Sequence, residues 1–301
     1  MSADALPARL FARLWRSAFR RFVFGAAFEG VAVMRREPGA VFSWIGVWTF
    51  ALATIAIIKT LSGGAPIVAG AAVGSASLAR SFGPLAILFV PVLLVLWIMT
   101  TATVFRAVIR PDEHGWHLLK LGPDEARLGV ITAIAFGLVV IFGSGPALIL
   151  FAMAKPVLAA VPAMGRWIVF GGAVATVALD FLIAVRLSLV AVHTFAEGRF
   201  HVFGYWRLTR RHFWRLLASY VIVFLQITVF LVVLGALVVL FTWAAMSVGT
   251  PHGADLARRA LLLIYAVIAA LLSASLFVIP STIISACQAF AYKAIIAEGA
   301  I

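Results

Sequence analysis

The chain has 301 residues, of which 64% are apolar and only 12% charged, with 24 Lys and Arg against 11 Asp and Glu and a formal charge of +13. A water-soluble domain of this length cannot cover so much apolar surface, and several stretches exceed the roughly 20 apolar residues that cross a hydrocarbon core. In a soluble domain such an excess of cations would suggest nucleic acid. Here they fall in short connections beside apolar stretches, no nucleic-acid motif accompanies them, and lipid is the simpler counter-charge.

The amino end opens with Leu6, Leu10, Leu14, Ala18 and Phe22 at four-residue spacing, with Arg9, Arg13, Arg16, Arg20 and Arg21 over much of the remainder. That pattern predicts an amphipathic helix lying in a membrane interface within an amino-terminal segment, residues 1–36. Arginines run through it and no apolar core with a cleavage site follows, so it does not read as a secretory signal.

Residues 37–301 read as one transmembrane domain with spans at about 41–61, 84–108, 128–153, 167–190, 217–246 and 260–286, the last continuing as helix to about 297. Each span is expected to be helical, because an open backbone in hydrocarbon leaves its N–H and C=O groups unpaired. With six spans both termini share one side. The opposite side then holds Lys59, Arg80, Lys155, Arg166, Arg258 and Arg259, against 18 of the 24 basic residues on the side of the termini. This threefold bias predicts cytoplasmic termini in a bacterial inner membrane. The expected fold class is all-α: three hairpins with cytoplasmic elbow helices, plus the interfacial amino-terminal helix.

Between the fourth and fifth spans lies the main cytoplasmic connection, 191–216. Within RFHVFGYWRLTRRHFWR, residues 199–215, arginines alternate with aromatic rings, the composition a headgroup layer selects. Arg207, Arg210, Arg211 and Arg215, with Arg186 at the adjoining span end, are the candidate lipid-phosphate ligands. Arg106, also at a span end, is expected to reach for headgroups.

A threefold repeat suggests itself in the hairpin entries REPGAVFSWIGV, GPDEARLGVITA and TRRHFWRLLASY and in the exits AVIRPDEHG, AVHTFAEGR and AYKAIIAEGA. Each exit carries a glutamate (Glu113, Glu197, Glu298) placed to cap or bridge elbow helices. This arrangement, together with WRLTRRHFWRLLASY, resembles a loose group of uncharacterised six-span bacterial inner-membrane proteins. It is distantly similar to the membrane domain joined to some glycerophosphodiester phosphodiesterases. Those proteins often have Gly where this chain has Arg211, and the soluble catalytic domain of the fused enzymes has no counterpart in the sequence. The resemblance implies a fold and a membrane setting, and no reaction.

Asp180 stands near the middle of the fourth span, where a carboxylate costs at least ~2.5–3.5 kcal/mol to insert. It is expected to face the bundle interior, either bonded to a hydroxyl such as Thr132, Thr228 or Ser273 or marking a path. Arg186, six residues on, points about 240° round the helix, too far for a direct pair. His114 and His117, near Asp112 and Glu113, are weak metal candidates without a supporting motif, so no cofactor is expected. Asp124 and Glu125 read as helix-capping acids, and no nucleophile elbow, phosphate loop or dinucleotide-binding glycine pattern is present. The expected function is non-enzymatic: engagement of anionic lipid, organisation of a membrane protein partner, or both. The alternative is a transporter or channel for a small amphiphile or lipid, using Asp180.

Overall fold

The structure is a computed structural model. It describes residues 5–61, 86–111, 122–139, 141–142, 145–146, 149, 152–154, 162–200, 205–247 and 255–299. Its long helices are α1 (Ala5–Arg36), α2 (Pro38–Leu61), α3 (Ala86–Ile109), α4 (Pro123–Val139), α5 (Pro162–Glu197), α6 (Tyr205–Ser247) and α7 (Asp255–Gly299). Among the described residues there is no strand. Five helices contain a stretch long and apolar enough to cross a membrane: Pro38–Ile55, Pro91–Ile109, Trp167–Glu197, Thr209–Leu237 and Val267–Gly299. The third expected span, 128–153, begins as α4, and half of its remainder lies outside the described residues, as do residues 62–83.

The helix ends follow local chemistry. A single residue, Glu37, separates α1 from α2. Its N–H reaches the Val33 carbonyl at 2.9 Å, and Pro38, with no N–H to satisfy, opens α2. Pro123 likewise opens α4, where the Gly122 N–H donates to Glu125 Oε2 at 2.8 Å. This is the reach-back half of a capping box, with Asp124 and Glu125 in the first turn where the helix dipole favours acids. Helix α5 stops at Gly198, whose φ of +67° and N–H bond to the Thr194 carbonyl at 3.0 Å form a left-handed glycine cap. Pro91 and Pro280 lie inside α3 and α7, which continue through them.

One expectation changes. The connection expected over 191–216 is mostly helix: α5 continues to Glu197 and α6 starts at Tyr205. The polar residues that suggested a loop extend the ends of long apolar helices. By contacts along the chain, two compact units are distinguished. One unit comprises Met1–Ala26, Leu121–Tyr220 and Gln288–Ile301, the other Ala27–Lys120 and Val221–Cys287.

In the first unit α4 packs against α5, and the core includes Phe22, Leu128, Leu189, Phe195, Leu216 and Ile295. In the second, α2 packs against α3. Trp48 stacks flat on Phe277 with centroids 5.5 Å apart, and its indole N–H donates to Thr100 Oγ1 at 3.2 Å. Both units hold α1 closely against α7. A Cβ added at Gly25 would lie 2.7 Å from Phe290 Cζ in the first, and one added at Gly30 would lie 2.5 Å from the Ile283 Cα in the second. Glycine is required at Gly30, where the backbone of α7 occupies the space of a side chain, while at Gly25 the tip of the Phe290 ring would have to shift.

The close approach has a measurable consequence. Gly30→Ala forces backbone against backbone and should destabilise the protein by about 1–3 kcal/mol. Gly46→Ala and Gly137→Ala, at positions where a Cβ meets nothing within 4 Å, should leave stability unchanged or slightly raised. Thermal unfolding of the three variants in one detergent checks this; equal midpoints would remove the close approach.

Candidate functional site

The polar groups of the first unit gather where the end of α5, the start of α6 and the end of α7 meet. Val192, His193, Thr194 and Phe195 are all buried. Four consecutive buried residues mean that this turn of α5 is enclosed on every side, since a helix with one solvent face would expose at least one of them. Inside this enclosure His193 Nδ1 lies 3.0 Å from the Tyr292 hydroxyl, and its Nε2 lies 3.1 Å from Glu197 Oε2. One ring therefore links α5 to α7 and to its own next turn. The Nδ1–hydroxyl contact is a hydrogen bond whose donor depends on the ring tautomer, while Nε2 stands close to the Glu197 carboxylate without hydrogen-bond alignment.

Six residues further along α7, a second polar contact joins it to α6. Arg215 Nη1 donates to both Glu298 carboxylate oxygens at 2.8 Å, and His212 Nδ1 lies 3.8 Å from Glu298 Oε2. The Arg215 guanidinium also stands 5.8 Å from the Phe22 ring centroid of α1. Arg215 is buried, with its side chain 10% exposed, whereas the Glu298 side chain is 44% exposed. The cation is enclosed, and its partner is the solvent-facing member. Arg127 pairs with Asp124 at 3.1 Å within α4.

The remaining expected ligands occupy different settings. Arg186 places its guanidinium 4.9 Å from the Phe213 ring centroid, linking α5 to α6. Arg210 and Arg211 are exposed at the start of α6, beside Trp214, which is 73% exposed. Arg207 lies in the first turn of the same helix. Arg106 is half-buried in the last turn of α3, where a cation suits the helix dipole. Of the expected lipid ligands, therefore, Arg215 is held by the protein itself, and Arg210 and Arg211 face outward.

Asp180 lies on the partly covered stripe of α5 that carries Thr176, Ile183 and Leu187. Its Oδ1 is enclosed and has no hydrogen-bond partner, so Thr132, expected as a donor, does not serve that atom. Thr228 donates within its own helix to the Phe224 carbonyl at 2.8 Å. His114, His117, Asp112 and Glu113 lie outside the described residues. Among the described residues no group of three His, Cys, Asp or Glu side chains is placed to hold a metal ion.

Sequence reasoning singled out Arg215 and Glu298 separately, and it missed His193 and Tyr292 as partners. The available signal was the four-residue spacing of His193 and Glu197, which puts them on one helix face. Nothing local marks Tyr292, which lies on another helix far along the chain.

The Arg215–Glu298 pair should couple energetically. In a double-mutant cycle with Arg215→Ala and Glu298→Ala, a coupling of about 1–2 kcal/mol is expected, against about 0.3–0.5 kcal/mol for the more exposed Asp124–Arg127 pair. Equal couplings in thermal unfolding would mean that burial of Arg215 does not strengthen its contact.

No family model, curated protein or solved structure matches the chain. A functional reading therefore rests on the chain's own residues and their geometry.

Proposed function

We propose that this is a non-enzymatic, six-span inner-membrane protein with both termini cytoplasmic, which engages anionic lipid and thereby organises a membrane protein partner. The carrying observation is the exposed trio Arg210, Arg211 and Trp214 at the head of an apolar helix. A ring at headgroup depth anchors the helix end, and two guanidinium groups beside it meet phosphate in the forked geometry that Arg provides. Exposed Arg20 and Arg21 on α1 and Arg199 and Phe200 beyond α5 belong to the same compact unit and add to its positive surface. The bias of basic residues toward the side of the termini supports the orientation.

Two measurements test this reading. Arg210→Gln with Arg211→Gln should reduce retention of phosphatidylglycerol roughly thirtyfold, at about 1 kcal/mol per arginine. The readout is native mass spectrometry of protein released from mixed phosphatidylglycerol and phosphatidylcholine nanodiscs. Retention equal to wild type would end the lipid assignment. For orientation, a periplasm-active reporter fused after Ile301 should stay dark and a cytoplasm-active one should report. The opposite pattern would turn every connection to the other side of the membrane.

A second reading has its own support. The enclosed, unpartnered Oδ1 of Asp180 inside an apolar helix suits a path for a small amphiphile or lipid, because an intramembrane carboxylate is costly unless it meets a ligand or water. Asp180→Asn should then abolish movement of a fluorescent short-chain phospholipid in proteoliposomes; full activity would remove Asp180 from any such path.

A further inference from the structure

We infer that Arg215 and His212 form a phosphate-binding subsite which the chain's own Glu298 carboxylate occupies, so that α7 closes its own lipid site. This rests on the anionic-lipid reading above and adds a regulated position behind the exposed arginines.

Three features of the contact carry it. The first is the asymmetry of burial: Arg215 is 10% exposed while Glu298 is 44% exposed. An enclosed guanidinium faces a carboxylate that reaches solvent and can be exchanged. The second is the fit of the seat to an oxyanion. One Arg215 nitrogen takes two oxygens at 2.8 Å each, while His212 Nδ1 lines the seat at 3.8 Å, outside hydrogen-bond distance. Phosphate offers oxygens to the same guanidinium and carries its charge without a helix to restrain it.

The third feature is electrostatic. Glu298 belongs to the last turn of α7, which contains no basic residue, and the C-terminal end of a helix disfavours an acid. The cations of α6 therefore hold Glu298 in place against its own helix. On α6 the first turn contains no acid, and exposed Arg210 and Arg211 lie within about one helical turn of His212 and Arg215. An incoming phosphate meets the outer arginines before it reaches the inner seat. Displacement of Glu298 then frees the last turn of α7 from α6.

The test compares wild type, Glu298→Gln, Arg215→Gln and the double variant, each in phosphatidylcholine nanodiscs with or without phosphatidylglycerol, and with inorganic phosphate added to the phosphatidylcholine set. Glu298→Gln should retain phosphatidylglycerol about tenfold more strongly than wild type, the scale of one charge-assisted hydrogen bond. The double variant should lose that gain. Thermal unfolding gives an independent readout. Glu298→Gln leaves a buried cation without its carboxylate and should melt lower in pure phosphatidylcholine, and the anion that fills the seat should restore it. Restoration by the lipid alone identifies a headgroup site, and restoration by inorganic phosphate identifies a free-anion site. Glu298→Gln retention at or below wild type, with no selective restoration, overturns the inference. If Arg210→Gln with Arg211→Gln still lowers retention in that case, the lipid reading stands without the self-occupied seat. If neither change alters retention, both fail.

Discussion

What governs this molecule is the solvent its helices demand. Along α5 the outward residues Trp167, Phe170 and Val177 are exposed, and along α6 so are Phe224, Leu225 and Val232. In water this surface would drive association, at about 25 cal/mol for each Å² of apolar area left wet. In hydrocarbon it costs nothing, and the burden moves to the backbone, whose polar groups only a helix satisfies within one segment. The serine and threonine hydroxyls follow the same rule. Ser43, Thr49, Thr103 and Thr176 each donate to a carbonyl four residues earlier, at 2.8, 2.6, 2.8 and 2.9 Å. Polar groups that in water would face outward are folded back onto their own helix.

Lipid tails are as apolar as leucine, so burial of apolar side chains gives little net attraction between such helices. The two units meet that difficulty differently. The second relies on shape: Gly30 lets α1 approach the backbone at Ile283, and the Trp48 ring lies flat on Phe277 with its single polar atom bonded to Thr100. The first adds polar links, His193 to Tyr292 and Arg215 to Glu298, each joining elements distant in sequence. Directional contacts of this kind fix the rotation of one helix against another, which apolar packing alone leaves loosely specified.

Much of this was legible in the sequence because it depends on local pattern. Apolar run length located the five long described spans, and Pro123 with Asp124 and Glu125 marked the start of α4. The helical ends of α5 and α6 were harder to read. His193, Thr194, Arg210 and Arg211 look like loop residues by composition, since periodicity tells apolar from polar faces and not whether a polar face is enclosed. The enclosed His193 and Arg215 take their setting from partners 99 and 83 residues away, information that no window along the chain contains. The docking of α1 had a weak signal: Gly25 and Gly30 interrupt an otherwise continuous helical pattern, and an interior glycine usually has a packing reason.

The same distinction decides what the formal charge of +13 means. Anionic lipid responds to cations that reach its surface, and the structure sorts them. Arg215 is enclosed with Glu298, Arg127 is paired with Asp124, Arg36 with Glu29 at 3.0 Å, and Arg186 lies against Phe213. These contacts orient helices, and the acids beside three of these cations reduce their contribution to the outward field. Arg20, Arg21, Arg210 and Arg211 are exposed on the first unit. Exposed Arg35 adds to these on the second unit. Among the described residues, then, the outward field comes from the arginines that no acid accompanies, and the cations already paired within the protein serve to orient its helices.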